Sequence, residues 1–350
     1  MGKEIKVAGR LIGDGHPCFI IAEAGVNHNG DIDLARKLID IAANCGADAV
    51  KFQTFCADRL VTPSAPVAKY QARNIGEQQT QLDMLRKLEL SEEAHRILFD
   101  YARERGLIFL STPFDELSAD LLEELGVAAY KVPSGELSNL RFLRYLARKG
   151  KPLIISTGMA TLADVELAIE ALESSGCKEY VLLHCVSNYP AEAEEVNLRA
   201  MLTLRAAFGV PVGYSDHTLG IAVPLAAVAL GACVIEKHFT IDRSLPGPDH
   251  KASATPEELR ELISSIRTIE RALGDGRKRP AQGERDTMLA ARKSLIASCD
   301  IAPGTKIEEH HITLRRPGTG LPPTFLPYLV GRIARTYIRA GTPITLDMVA

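Results

Sequence analysis

Two short β-branched runs, residues 210–213 and 233–236, each end in a polar cluster that contains a histidine, His217 and His238. Between them, residues 219–230 are rich in Ala, Leu and Val and about helix length, so the unit reads strand, loop, helix, strand. Neighbouring strands of a sheet lie about 4.8 Å apart. Two imidazoles just past the carboxyl ends of such strands can therefore share one divalent metal ion. Strand alternation also puts Glu236 on the face of His238, as a third ligand or as a partner that orients the ring. Either histidine alone would pass for a hydrogen-bonded structural residue; the matched pair is what points to a metal.

The elements that must carry such a pair recur along the chain. Apolar runs at 19–23, 49–53, 108–111, 128–132, 153–157, 181–184, 210–213 and 233–236 predict strands. Amphipathic or Ala/Leu-rich stretches at 32–44, 92–105, 117–125, 139–149, 162–174, 198–208, 219–230 and 256–273 predict the helices that follow them. Eight β/α units in about 275 residues have the size and rhythm of a (β/α)8 TIM barrel, an α/β fold. A doubly wound sheet would carry a Gly-rich dinucleotide turn after its first strand, and AEAGVNHNGD is not GxGxxG. Residues before Phe19 predict a hairpin capping the barrel bottom, and 58–90, too long for a simple connection, predict a cover over the mouth with a helix at 80–87.

From residue 274 the texture changes. GDGRKRPAQGERDTMLAARK is polar and basic, so the domains expected are a barrel at 1–274, a linker at 275–291 and a small β-rich domain at 292–350. The tail holds a weak repeat, IAPGTKIEEHHI and IRAGTPITLDMV, each predicted as strand, Gly turn, strand. Its length is marginal for independent stability, so it should pack on the barrel or on a second subunit.

In a TIM barrel the active site forms at the carboxyl ends of the strands. Read there, the chain supplies Glu23 with Asn27 and His28; Lys51 and Gln53; Ser111 and Thr112; Lys131 and Ser134; Ser156 and Thr157; His184 with Ser187, Asn188 and Tyr189; Ser215, Asp216 and His217; and Glu236, Lys237 and His238. Lysines are rarely buried unless paired. Two at strand ends, flanked by Ser and Thr donors, point to a bound phosphate or carboxylate. Two alternatives stand beside this: lysines merely bridged to Glu23 or Glu236, and a Schiff-base lysine of an aldolase, Lys131 or Lys237, which would need no metal.

The bulk composition excludes other classes. The 350 residues are 46% hydrophobic and 24% charged with a net charge of −3, which gives no electrostatic footprint for nucleic acid. The longest apolar run, 221–235, holds a Pro and a Gly and is shorter than the roughly 20 residues that span a bilayer. MGKEIKVAGR lacks the apolar core of a signal peptide, and seven scattered cysteines without a CxxC pair suit a reducing compartment; a cytoplasmic protein is expected.

The stretches FIIAEAGVNHNGD, ADAVKFQTF, STPFD, YKVPSGEL, ISTGMA, HCVSNYPA, VGYSDHTLG, EKHFTIDRSLPGPDHKAS and RRPGTG resemble the N-acetylneuraminate (sialic acid) synthase family, and the repeat-bearing tail resembles its antifreeze-like (SAF, β-clip) domain. The resemblance implies metal-dependent condensation of phosphoenolpyruvate with N-acetylmannosamine and water, giving N-acetylneuraminate and phosphate. It implies that His217 and His238 hold a divalent ion, Mn²⁺ before Mg²⁺ or Co²⁺, that also meets the sugar aldehyde. Glu23 would bond the sugar and Gln53 a water at the metal. Lys51, Thr112, Lys131, Ser134, Ser156 and Ser215 would surround phosphoenolpyruvate, with Tyr189 and Asp249 on the sugar side. Arg316 would reach from one subunit's tail into the other's barrel, which implies a domain-swapped homodimer. Either Glu236 or a hydroxide at the metal would take the proton of the attacking water, and either Ser187 or Asn188 would contact the sugar. Relatives making legionaminate or pseudaminate from other acetamido sugars are the alternative, and His250 after GPD leans to the neuraminate or legionaminate branch. Two rival classes remain: a metal-free aldolase of sialic-type sugars, and a tail acting as a surface- or carbohydrate-binding module.

Overall fold

The computed structural model describes residues 3–75 and 80–350. Its contacts divide the chain into two units, Met1–Gly274 and Asp275–Ala350.

The first unit opens with an antiparallel hairpin, β1 (Glu4–Val7) and β2 (Arg10–Gly13). Eight parallel strands follow: β3 (Phe19–Gly25), β4 (Ala49–Thr54), β5 (Ile108–Pro113), β6 (Tyr130–Val132), β7 (Leu153–Ser156), β8 (Tyr180–Cys185), β9 (Val212–Asp216) and β10 (Val234–His238). They are ordered β5-β4-β3-β10-β9-β8-β7-β6, and β5 also packs against β6, so the sheet closes on itself as a (β/α)8 barrel. Helices between the strands begin and end on local chemistry. Asp31 accepts from the Asp33 and Leu34 N–H groups to open Ile32–Cys45, which Gly46 closes at φ 84°. Thr255 and Glu258 form a reciprocal cap on Pro256–Leu273.

Alternation along the strands sorts the barrel into an outer and an inner set. Ile20, Ala22, Val50, Phe52, Tyr130, Leu182, Tyr214 and Ile235 face the helices. Phe19, Ile21, Ala49, Leu110, Ile154, Val181, Leu183 and Val234 fill the lower interior, where Ile5, Val7 and Ile12 of the hairpin seal them from below. Above that apolar floor the inward positions turn polar, with Glu23, Lys51, Thr112, Lys131, Ser156, Ser215 and Glu236 at the carboxyl end.

The expected cover over the mouth is more structured than a loop. It carries helices Ala57–Leu60, Lys69–Ile75 and Gln81–Leu88, and Leu82, Met84, Leu85 and Leu88 bury against Val26 and Phe55. Residues 76–79 of that expected cover lie outside the described residues.

In the second unit the segment expected as a linker holds a helix, Arg285–Ala291, and β11 (Ser294–Ala297) pairs antiparallel with β12 (Ile312–Arg315). The repeat shows as a local pseudo-two-fold. Ile301 and Ile338 exchange backbone hydrogen bonds at 2.8 and 2.9 Å, Ile307 and Ile344 are buried, Gly304 and Gly341 turn at φ 83° and 82°, and Glu309–His311 matches Leu346–Met348 as a 3-10 turn. The expected strand pairs within each repeat are absent: segments this short, cut by a left-handed glycine, meet as isolated bridges instead of ladders. Among the described residues no helix is long and apolar enough to cross a membrane.

Candidate active site

Strand register brings the polar inward residues to one level. Glu23 lies opposite both Lys51 and His238, Gln53 opposite Thr112, and Ser215 opposite Glu236. The Lys51 ammonium stands 2.8 Å from Glu23 Oε2 and 3.8 Å from Glu236 Oε2, and donates to Thr112 Oγ1 at 3.0 Å. Lys131 donates to Ser156 Oγ at 2.7 Å and to the Val132 carbonyl at 3.1 Å, and lies 3.6 Å from Glu236 Oε1. Ser215 Oγ donates to the same Glu236 oxygen at 2.8 Å. Glu236 is thus clasped between two ammonium groups.

These groups are buried, so electrostatics decides their charge. Burial alone would raise the Glu236 carboxyl, but Lys131 and Lys51 outweigh it and hold the group well below the usual carboxylate range. Glu23 goes the other way: burial dominates over Lys51, and its proton affinity rises. Burial opposes the Lys51 charge and is overcome by Glu23 and Glu236; for Lys131 burial wins and its pKa falls.

His217 and His238 stand side by side at the rim, ring centroids 5.5 Å apart. His217 Nδ1 meets the Val186 carbonyl at 2.6 Å, which can only accept, so Nδ1 carries the proton and Nε2 keeps its lone pair. His238 Nδ1 is buried with no hydrogen-bond partner. Burial lowers both pKa values, so both rings are neutral, the form that ligates metals. The donor set fits a divalent ion of borderline softness held by two imidazoles. Among the described residues no three His, Cys, Asp or Glu side chains converge as a complete cage, which corrects the expectation of Glu236 as a third ligand: it is spent on the lysines. Other coordination positions would be left for water and substrate.

A cleft of about 530 Å³ joins these groups. It is lined by Glu23, Lys51, Gln53, Thr112, Lys131, Ser134, Ser156, Tyr189, Ser215, His217, Glu236, His238 and Asp249, all named from the sequence. Tyr189 covers His217 at 4.0 Å between ring centroids and meets His238 edge-on at 5.5 Å. Ser187 lines the cleft, whereas Asn188 is exposed and accepts from the Tyr189 N–H. Arg316 belongs to the second unit, where it is exposed.

Other strand-end residues face away. Ser111 bonds Thr54, which also meets His95; His184 bonds the Val196 carbonyl; Asn27 donates to the Phe239 carbonyl and Ser253. Lys237 pairs with Asp216 behind the sheet, so it is no candidate for a Schiff-base nucleophile in the cleft. Sequence reasoning missed Tyr70, which stacks on Tyr189 at 5.1 Å from the expected cover, and Cys185, whose thiol lies 3.1 Å from Ser134 Oγ.

Two tests arise from this geometry. Gly25 sits at φ 54°, and a methyl group there would stand 3.1 Å from Glu23 Oε1 and 3.5 Å from both Gln53 Nε2 and His238 Cε1. Gly25→Ala should cost about 1–3 kcal/mol of stability and lower turnover by displacing Glu23, measured by denaturant melts and steady-state kinetics. Asp249 is buried, with Oδ1 unpartnered, and burial pushes its pKa from 3.8 to about 6. A carboxyl whose folded pKa is raised loses stability as pH climbs from about 4 to about 6, then levels off. Asp249→Asn should therefore be more stable than the parent at pH 7–8 by about 1–3 kcal/mol, with the gain vanishing near pH 4. Thermal melts across that range check it.

Residues 38–278 match the NeuB family, and residues 292–350 match the SAF domain. The chain is 50% identical over 349 residues to the N,N'-diacetyllegionaminic acid synthase of Legionella pneumophila, covering 98% of each. It is also 50% identical over 318 residues to the protein of that name from Campylobacter jejuni, covering 90% of this chain and 95% of the relative. Among solved structures it matches an N-acetylneuraminic acid (sialic acid) synthetase from Leptospira borgpetersenii serovar Hardjo-bovis in complex with citrate, at 36% identity and a TM-score of 0.72, over 82% of this chain and 96% of that one.

Proposed function

The chain belongs to the NeuB family, phosphoenolpyruvate-dependent condensing enzymes that form a carbon–carbon bond, and we propose that it makes N,N'-diacetyllegionaminate from phosphoenolpyruvate, a diacetamido sugar aldehyde and water, releasing phosphate. The observation that carries the reading is the single polar layer in which two ammonium groups and their Ser and Thr neighbours adjoin two neutral imidazoles. Identity of 50% to two legionaminic acid synthases, against 36% to a neuraminic acid synthetase, favours the diacetamido sugar over N-acetylmannosamine, the first expectation from sequence.

In this reading Lys51 and Lys131, with Thr112, Ser134, Ser156 and Ser215, hold the phosphate and carboxylate of phosphoenolpyruvate. A divalent ion of the Mn²⁺ type at His217 and His238 would supply Lewis-acid polarisation of the sugar aldehyde. The enol carbon then attacks the aldehyde carbon, and positive charge builds at the carbon bearing phosphate. Water adds there and gives up a proton while the aldehyde oxygen gains one to become a hydroxyl, and the tetrahedral product expels phosphate by C–O cleavage as its new hydroxyl becomes the ketone. Glu236, kept ionised by its lysines, balances the cationic centre, while Lys51 and Lys131 stabilise the departing dianion. Glu23, with its raised proton affinity, stands opposite His238, where it can hold a proton shared with a sugar hydroxyl. Tyr189 and Asp249 wall the sugar side.

Phosphate release from phosphoenolpyruvate across a panel of mono- and diacetamido sugars, with and without Mn²⁺, tests the proposal. The diacetamido aldehyde should turn over best and only with metal. No phosphate with any sugar would remove the condensation, and a preference for N-acetylmannosamine would restore the neuraminate reading.

The family resemblance also supports a swapped homodimer in which Arg316 of one copy meets the sugar in the partner's barrel. Arg316→Ala should then weaken sugar use by about 2–5 kcal/mol and leave the phosphoenolpyruvate KM unchanged. Steady-state kinetics with each substrate varied, and light scattering for the dimer, check both parts.

A further inference from the structure

One buried ion pair takes no part in the steps above. Lys237 and Asp216 are directly opposite in the register of β10 and β9, and the Lys237 ammonium lies 2.6 Å from Asp216 Oδ2 with side chains 2% and 0% exposed. Lys237 also donates to the Thr218 carbonyl at 2.5 Å. The other carboxylate oxygen accepts from the Thr218 N–H at 3.0 Å and its hydroxyl at 2.8 Å, so the chain folds back tightly around the intervening His217. Among well-packed helices and strands, two apolar side chains would fill this space at no charge penalty; the best-attested gain from a buried pair is register.

Here register has a chemical consequence. The residues one step before the pair, Ser215 and Glu236, meet inside the cleft at 2.8 Å. The residues one step after are His217 and His238. The rung behind the sheet therefore lies between two rungs that face the site, on the same two strands. We propose that Lys237 and Asp216, with Thr218, are positioning residues that fix the spacing of the His217 and His238 imidazoles and so set the affinity of the site for its divalent ion. The proposal rests on the reading of those two histidines as the metal-binding pair.

The test measures Mn²⁺ binding to the full-length protein by the electron paramagnetic resonance signal of free Mn²⁺, alongside melting temperature and the phosphoenolpyruvate KM. Lys237→Met should lose both stability and Mn²⁺ affinity. The double variant Asp216→Leu with Lys237→Met removes the unpaired buried charge, so its melting temperature should recover. Its Mn²⁺ dissociation constant should stay raised by about 10–100-fold, the usual cost of losing support behind a ligand, with the phosphoenolpyruvate KM unchanged. A double variant with parental Mn²⁺ affinity would show that the pair serves stability alone and overturn the proposal. Thr218→Val, which keeps the side-chain shape and deletes one donor to Asp216, gives the same reading if the pair's variants do not fold: several-fold weaker Mn²⁺ binding supports the proposal and unchanged binding overturns it. Failure of the underlying reading shows separately, as a parent protein that binds no Mn²⁺ or a His217→Ala variant that binds it equally well, and the proposal falls with it.

Discussion

Replacing either His217 or His238 with alanine is expected to lower kcat/KM by about a thousand-fold or more, because Lewis-acid polarisation of a carbonyl supplies several kcal/mol and each 1.36 kcal/mol is a factor of ten. Two features make the loss this large. Among the described residues the two rings stand without a third His, Cys, Asp or Glu able to complete a cage, so removing one halves the protein's share of the ligands. Neither ring is charged, since burial lowers both pKa values, so alanine strands no buried ion and the fold should survive. Phosphate release at rising Mn²⁺, with circular dichroism to show the variants folded, is the measurement. Full turnover of the parent after chelation would show that the reaction needs no added ion and would return the metal-free aldolase, with Lys131 as the remaining interior nucleophile. Borohydride trapping of a pyruvate adduct would then separate the two chemistries.

The barrel was legible because its strands are buried on both faces and stand out as apolar runs bounded by turns. The site was legible for a narrower reason. In a closed parallel sheet an inward polar side chain has no structural excuse, so Lys51, Lys131 and Glu236 announce themselves. What failed was the facing of single residues. Lys237 lies between Glu236 and His238, and alternation alone assigns it to the opposite face; treating it as a cleft nucleophile ignored that constraint. Ser111 and His184 differ from Thr112 and Cys185 by one position each, and one position is the whole difference between the cleft and the layer of helices. Tyr70 was out of reach for another reason. It sits on a short helix without a long apolar period, and its partner Tyr189 is more than a hundred residues away, so nothing local marks the stack. In the tail, isoleucines at strand-like spacing pair across a pseudo-two-fold as Ile301 with Ile338, a choice made by tertiary packing that β-propensity cannot foresee.

Lys51→Met should raise the phosphoenolpyruvate KM by at least about 10–100-fold while leaving the sugar KM near that of the parent, since each hydrogen bond from a charged donor contributes about 1.5–3 kcal/mol. Methionine keeps the length and the apolar stem, so the change isolates the ammonium. That ammonium is 2.8 Å from Glu23 and 3.8 Å from Glu236; its loss leaves Glu236 paired with Lys131 and takes from Glu23 the ammonium it pairs with. The response of the two acids should differ. Glu23 already has its proton affinity raised by burial, so it can take a proton at neutral pH and escape the penalty of an unpaired charge. Glu236 keeps Lys131 at 3.6 Å and the Ser215 hydroxyl at 2.8 Å, and stays ionised. The variant should therefore lose less stability than the roughly 3–5 kcal/mol typical of a broken buried pair, yet present one cation fewer to an anionic substrate. Kinetics with phosphoenolpyruvate and the sugar varied in turn, together with inhibition by inorganic phosphate, separate the possibilities. Weaker phosphate inhibition in step with the rise in KM places Lys51 on the phosphate; unchanged inhibition with a raised KM places it on the carboxylate. An unchanged KM together with an unchanged kcat would mean that phosphoenolpyruvate is held elsewhere, and the ammonium pair would then be no more than the counterion of two buried glutamates.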